Sequence, residues 1–181
     1  MVEVIPVRDA YHDAPIGLVS PDLPPPRERW EGDWGERDAP GRRYAVGFMF
    51  SPDLSKVVLI RKRRPEWQAG RLNGPGGKLR DGEAPLAGMQ REFHEETGVK
   101  WEHWQPGCRL DCPGATVWCF WARSPAYADA RTTTDEEVEV HGVANFCEME
   151  SITNAQWVVP MLLSLADGRE HARCFTVREV H

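Results

Sequence analysis

The chain has 181 residues, of which 41% are hydrophobic and 28% charged, with Gly 16 and Pro 15. At roughly 100–200 residues per domain this length favours one main domain, and the composition excludes a globally disordered or collagen-like chain. A net charge of −6 supplies no broad positive field, which argues against long nucleic acid as a partner, and the longest apolar runs stop short of the ~18 residues a membrane span needs.

The N-terminal stretch carries Glu3, Arg8, Asp9 and Asp13 without a signal-type apolar core, so a cytoplasmic location is expected. Five cysteines, Cys108, Cys112, Cys119, Cys147 and Cys174, are odd in number and lack zinc-ribbon spacing, and they read as reduced structural thiols. Residues 1–41 form a Pro-rich extension. A short strand is expected at 2–7, followed by Pro15, Pro21, Pro24, Pro25, Pro26 and Pro40, which oppose helix; Trp30 and Trp34 read as pins onto the domain.

The main domain is expected over 42–181. Apolar runs at 44–50 and 56–63, joined by the turn Ser51-Pro52-Asp53, predict a strand pair. A Gly-rich stretch at 70–77 leads into 85–97, where Leu86, Met89 and Phe93 recur with helical spacing. Pro85 suits the first turn of that helix, and Gly98 suits the left-handed position beyond its end. Strands are expected at 101–110, 116–122, 138–146 and 174–180. A second helix is expected at 159–166, with Pro160 in its first turn, Met161, Leu162 and Leu165 on its apolar face, and Gly168 past its end. The fold class is α/β, with helices packed on a mixed sheet.

The chemistry concentrates in 77–99, GKLRDGEAPLAGMQREFHEETGV. At ~100° per residue, Glu92, Glu95 and Glu96 share one narrow helix face about a quarter-turn from the apolar stripe. Crowded carboxylates destabilise a helix and raise one another's pKa, so a cation is expected there. With no His or Cys on that face, the hard cations Mg²⁺, Mn²⁺ and Ca²⁺ suit it better than zinc. The upstream Gly74-Pro75-Gly76-Gly77 frees the backbone to turn a carbonyl toward the same ion.

The string matches the Nudix box, G-x5-E-x7-R-E-U-x-E-E-x-G-U with U apolar, at Gly77, Glu83, Arg91, Glu92, Phe93, Glu95, Glu96, Gly98 and Val99. A chance match somewhere in such a chain is on the order of one in ten million. The chain therefore resembles Nudix hydrolases. The resemblance implies an α/β/α sandwich with a mixed β-sheet and a Mg²⁺-dependent enzyme, Mn²⁺ substituting, that hydrolyses a phosphoanhydride in a nucleoside diphosphate derivative. It implies Glu92, Glu95 and Glu96 as metal ligands, one of them serving also as base, with the Gly76 carbonyl as a further ligand. Glu83 and Arg91 would pair and hold the loop to the helix. A fourth carboxylate outside the box is expected from 135–139, with Glu137 favoured by counting back from the next strand.

Within the family, the stretch 63–78, with its A-G-R-x-N-G and N-G-x-G-G-K runs, is similar to enzymes that sanitise oxidised purine nucleoside triphosphates. That likeness implies Asn73 as a base contact, with Asn154 as the second, and Arg63, Trp67 and Lys78 at the substrate site. Departures stand beside it: Leu72 replaces a common aromatic, Gly142 a typical Trp, and the N-terminal extension has no counterpart. An ADP-ribose or nucleoside diphosphate sugar substrate is the runner-up, on the strength of Pro113 downstream of the box. The third reading is a nucleotide sensor without catalysis, but every box carboxylate is present. The expected partner is a small nucleotide, with no membrane and a homodimer left open.

Overall fold

The computed structural model describes residues 2–6, 41–144, 146–167 and 175–179, the first and last of these as backbone. The Pro-rich segment with Trp30 and Trp34, and also Gly168 and Cys174, lie outside the described residues. The elements in chain order are β1 (Val2–Pro6), β2 (Arg42–Phe50), β3 (Lys56–Arg61), β4 (Leu72–Asn73), β5 (Gly76–Lys78), α1 (Pro85–Thr97), β6 (Gln105–Cys112), β7 (Ala115–Arg123), β8 (Glu137–Gly142), α2 (Thr153–Ala166) and β9 (Phe175–Glu179). Among the described residues these strands form a mixed sheet of order β1-β9-β6-β7-β2-β3-β4, with β5 against β2 and β8 against β3.

Strands β2 and β3 are apolar on both faces because both faces are covered. Val46, Phe48, Phe50, Val57 and Leu59 pack with Val158, Val159, Leu162 and Leu165 of α2. Ala45, Met49 and Val58 pack on the other side with Met89 and Phe93 of α1, together with Trp104 and Trp118. The α/β/α sandwich is thus set by period-2 alternation in the strands and the i, i+4 apolar stripe of α1.

The expected strand pair exists only at its turn. β2 and β3 share the single register pair Phe50↔Val57 and then splay. The segment 72–78 fills the gap: β4 pairs with β3 at Ile60↔Asn73, β5 pairs with β2 at Val46↔Gly76, and Gly47 N–H donates to Pro75 O at 2.8 Å. β2 finds its long partner in β7, parallel from Arg42↔Ala115 to Phe50↔Arg123. Sequence neighbours normally pair, but here the Gly-rich loop competes for the same backbone groups.

Helix α1 has the predicted limits. Pro85 is N1, and Gly98 at φ 73 caps the other end, its N–H donating to His94 O. Helix α2 begins at Thr153, six residues before the expected Val159, so Pro160 lies inside it. Pro160 lacks the N–H that would bond to Gln156 O, but both residues are exposed and water can take that carbonyl. β6 starts at Gln105, because 101–104 is an irregular stretch that seats Trp104 against α1. β8 ends at Gly142, and Phe146 lies in a short 3₁₀ turn.

β1 pairs antiparallel with β9, from Val2↔Glu179 to Pro6↔Phe175, so residues from the extension add a strand to the domain's sheet. Among the described residues Cys108, Cys112, Cys119 and Cys147 are thiols, and no helix is long and apolar enough to cross a membrane.

Candidate active site

The splay of β2 from β3 carries the Gly-rich loop under the acidic face of α1. Gly76 has φ 153, and a Cβ there would fall 2.2 Å from Ala45 O, so only glycine lets the loop lie this close to β2. A Cβ on Gly77 would fall 2.6 Å from Glu92 Cδ. The loop and the helix therefore meet with the Glu92 carboxylate between them.

Arg91 organises one side of the site. Its Nε and Nη2 donate to Glu83 Oε1 and Oε2 at 2.8 and 2.9 Å, a planar fork on both carboxylate oxygens. Glu83 also accepts from Arg80 N–H at 2.9 Å, which ties the turn before α1 to the helix. Arg91 Nη1 reaches Glu92 Oε1 at 2.6 Å and Glu95 Oε2 at 3.3 Å. The predicted Glu83–Arg91 pair is thus present, and its arginine extends to two of the three clustered glutamates.

The Arg91 guanidinium holds the Glu83 carboxyl down at about 2, against an ordinary value of 4.5. Because the folded pKa is depressed, the pair's stabilisation is complete above pH 4.5 and is lost as the pH falls toward 2. Glu83→Gln is expected to flatten the acid limb of a melting-temperature profile across that window. A variant whose acid limb matches the wild type would show that the pair contributes nothing to stability.

Glu96 behaves differently. Its Oε2 accepts from Gly76 N–H at 2.7 Å, and desolvation pushes its carboxyl up to about 7. The Gly76 N–H and the Lys62 ammonium oppose this shift, while the charges of Glu136 and Glu92 add to it. Crowding was the expected cause of raised carboxylate pKa values on this face, but burial leads at Glu96 and neighbouring charge is secondary. The Gly76 group that engages the helix is its N–H.

Glu136 joins the site from the loop before β8. It is 8% exposed, with Lys62 Nζ at 2.5 Å from its Oε2 and Arg63 N–H donating to its Oε1 at 2.8 Å. Glu137, the residue favoured from sequence, is exposed and stands opposite Arg61 in the β3–β8 ladder. Strand parity separates the two: Val138 packs toward the α1 core, and Glu136 lies two residues before it on the same alternation. That alternation was readable in the sequence, and it puts the Glu136 side chain inward and the Glu137 side chain outward.

No three Asp, Glu, His or Cys side chains among the described residues converge closely enough to hold a metal ion. The carboxylates are instead shared out: Glu92 and Glu95 to Arg91, Glu96 to the Gly76 N–H, Glu136 to Lys62. The donor chemistry still suits a hard divalent cation, since all four are carboxylates, Glu92 and Glu96 lie against the glycine loop, and Glu96 is desolvated.

The proposed substrate residues lie on adjoining elements. Leu72 N–H donates to Glu150 O and Ile152 N–H to Leu72 O, and Leu72 bridges Ser151. These bonds fasten Asn73 on β4 beside the start of α2, where Asn154 lies in the first turn. Asn73 Oδ1 accepts from Gly74 N–H at 2.8 Å, so its acceptor serves its own loop and its amide N–H₂ is the group left for a ligand. Trp67 is 65% exposed on a 3₁₀ turn, Lys78 is exposed on β5, and the Arg63 side chain is exposed while its N–H holds Glu136.

Within an α/β/α sandwich, the glycine loop thus lies under the acidic face of α1, and the Arg91–Glu83 fork braces the turn before the helix. The NUDIX domain model matches residues 41–175, and the chain belongs to that family. It is a Nudix hydrolase, a class that acts on nucleoside-diphosphate-linked compounds. Its fold is similar to a MutT structure from a comparison of the Aliivibrio salmonicida and Vibrio cholerae proteins, with TM-score 0.60, 19% identity, and coverage of 68% of this chain and 98% of that one. A mutT/nudix family protein from Listeria innocua gives TM-score 0.59 at 16% identity, covering 72% and 97%. A putative nudix hydrolase family member from Chromobacterium violaceum gives 0.57 at 20%, covering 73% and 81%. No curated protein matches the chain.

Proposed function

We propose that this chain hydrolyses a purine nucleoside triphosphate, ordinary or oxidised, to the monophosphate and pyrophosphate, with Mg²⁺ as cofactor and Mn²⁺ as a substitute. The observation that carries this reading is the seating of Glu92 against Gly77 and of Glu96 on the Gly76 N–H, with Glu95 tied to Glu92 through Arg91 and the charge of Glu136 acting on Glu96, next to the joined elements that bear Asn73 and Asn154. Glu92, Glu95, Glu96 and the Gly76 carbonyl would hold the metal, with Glu136 in the role first assigned to Glu137. Bound there, a divalent cation supplies charge to phosphate oxygens and acidifies water.

The chain's own residues do the remaining work. Arg91 holds Glu92 and Glu95 by hydrogen bonds, and Glu83 keeps Arg91 in place. Lys78, exposed beside the glycines, is available to a phosphate, and Arg63 and Trp67 are exposed on the segment between β3 and β4. Pro113, which kept an ADP-ribose reading open, lies in the β6–β7 turn, with β2 between that hairpin and the Gly-rich loop. The deciding experiment assays nucleotides, oxidised nucleotides, ADP-ribose and nucleotide sugars at fixed Mg²⁺ for release of pyrophosphate and monophosphate. Preferred turnover of ADP-ribose or a nucleotide sugar would overturn the triphosphate reading, and binding without turnover would favour a sensor.

Asn73→Ala is expected to lower kcat/KM for the preferred nucleotide by roughly 5- to 150-fold, the cost of leaving one base edge unpaired. A poor nucleotide substrate should lose much less, because phosphate and metal contacts are common to both. An equal loss on every substrate would mean that the Asn73–Gly74 bond merely shapes the loop.

A further inference from the structure

Lys62 follows the last residue of β3, and its backbone is held from both sides: its N–H donates to Arg71 O at 2.9 Å, and its carbonyl accepts from Gly70 N–H at 2.8 Å. Its ammonium is directed to Glu136, with 14% and 10% of the two side chains exposed. Glu136 in turn sits on a loop bound to the end of α1. Arg131 N–H donates to Thr97 O, Thr133 N–H to Glu96 O and Thr133 Oγ1 to Glu95 O, so carbonyls left over at the helix terminus fasten the loop.

A buried carboxylate without a counter-charge is costly, and Lys62 supplies that charge to Glu136. The same ammonium is the cation whose field acts on Glu96. A divalent cation seated on Glu96 and Glu136 would therefore meet a positive charge already in place, and like charges at such range repel. Lysine suits a temporary occupant, because it binds as a point charge on a flexible stem, whereas arginine would fork both oxygens.

We propose that the Lys62 ammonium is the resident counter-cation of this site: it holds Glu136 while no metal is bound, and an entering divalent cation displaces it. The inference rests on the metal reading above. It makes Lys62 a positioning residue that sets how readily the metal is taken up.

Calorimetric titration with Mn²⁺ alone tests it. Lys62→Met should tighten Mn²⁺ binding by roughly tenfold, since one repelling charge is removed. Lys62→Arg should weaken it. In the wild-type protein, reductive methylation of Lys62, read by peptide mass spectrometry, should rise several-fold on saturation with Mg²⁺, while the exposed Lys56 and Lys100 serve as references. The labelling measurement needs no variant and decides the matter if Lys62→Met does not fold. Equal or weaker Mn²⁺ binding in a folded Lys62→Met protein, or labelling of Lys62 that does not rise, overturns the proposal and leaves the metal reading standing. A wild-type protein that binds no Mn²⁺ overturns both.

Discussion

Glu92→Gln is expected to lower kcat by about 10³-fold with the fold intact, the scale of loss when a group that stabilises charge in the transition state is removed. The substitution preserves size, so the contact that a Cβ on Gly77 would violate is unaltered and the glycine loop can stay seated. What changes is charge: the Arg91 guanidinium would face a neutral amide oxygen in place of a carboxylate, and a divalent cation held there would lose one anionic donor. Glu92 is the carboxylate wedged between loop and helix, so its loss cannot be covered by a neighbour on a long flexible stem. Steady-state kinetics at saturating Mg²⁺, paired with a melting curve, check the expectation. Turnover near the wild-type rate in a folded variant would remove Glu92 from the catalytic set.

Trp104→Ala is expected to cost about 3–5 kcal/mol of stability, the range for truncating a large buried aromatic. For a domain of this size that corresponds to a fall in melting temperature of roughly 6–20 °C. Trp104 is 1% exposed and meets Phe93 edge-on at 4.7 Å, on the apolar face of α1. Its ring lies so near Gly47 that a Cβ there would be 3.0 Å away, and its Nε1 donates to Trp101 O at 3.0 Å. Truncation would empty the space beneath the helix and leave that carbonyl without its donor. Activity should fall with stability, since α1 is held to the sheet through this contact. Thermal or urea unfolding measures the loss, and an unchanged midpoint would show that Met89 and Trp118 anchor the helix without it.

What the sequence determined by itself is local. The limits of α1 were legible because Pro85 and Gly98 act through backbone geometry that no distant contact needs to supply. The acidic face was legible because helical periodicity sets it, and the box motif carried the Glu83–Arg91 pair. The buried runs of β2 and β3 were legible as strands because burial on both faces demands apolar residues throughout.

Tertiary structure decided the rest. The splay of β2 from β3 depended on which backbone groups the loop 72–78 would claim, a competition between segments that neighbouring residues do not record. The start of α2 at Thr153 followed from its docking on Leu72 through Ser151 and Ile152, which overrode the expectation that Pro160 marks a first turn. Glu136 joined Lys62 because β8 pairs with β3, a contact between residues far apart in the chain. The raised pKa of Glu96 followed from desolvation, which exists only once the loop, the helix and the β8 loop have closed around that carboxylate.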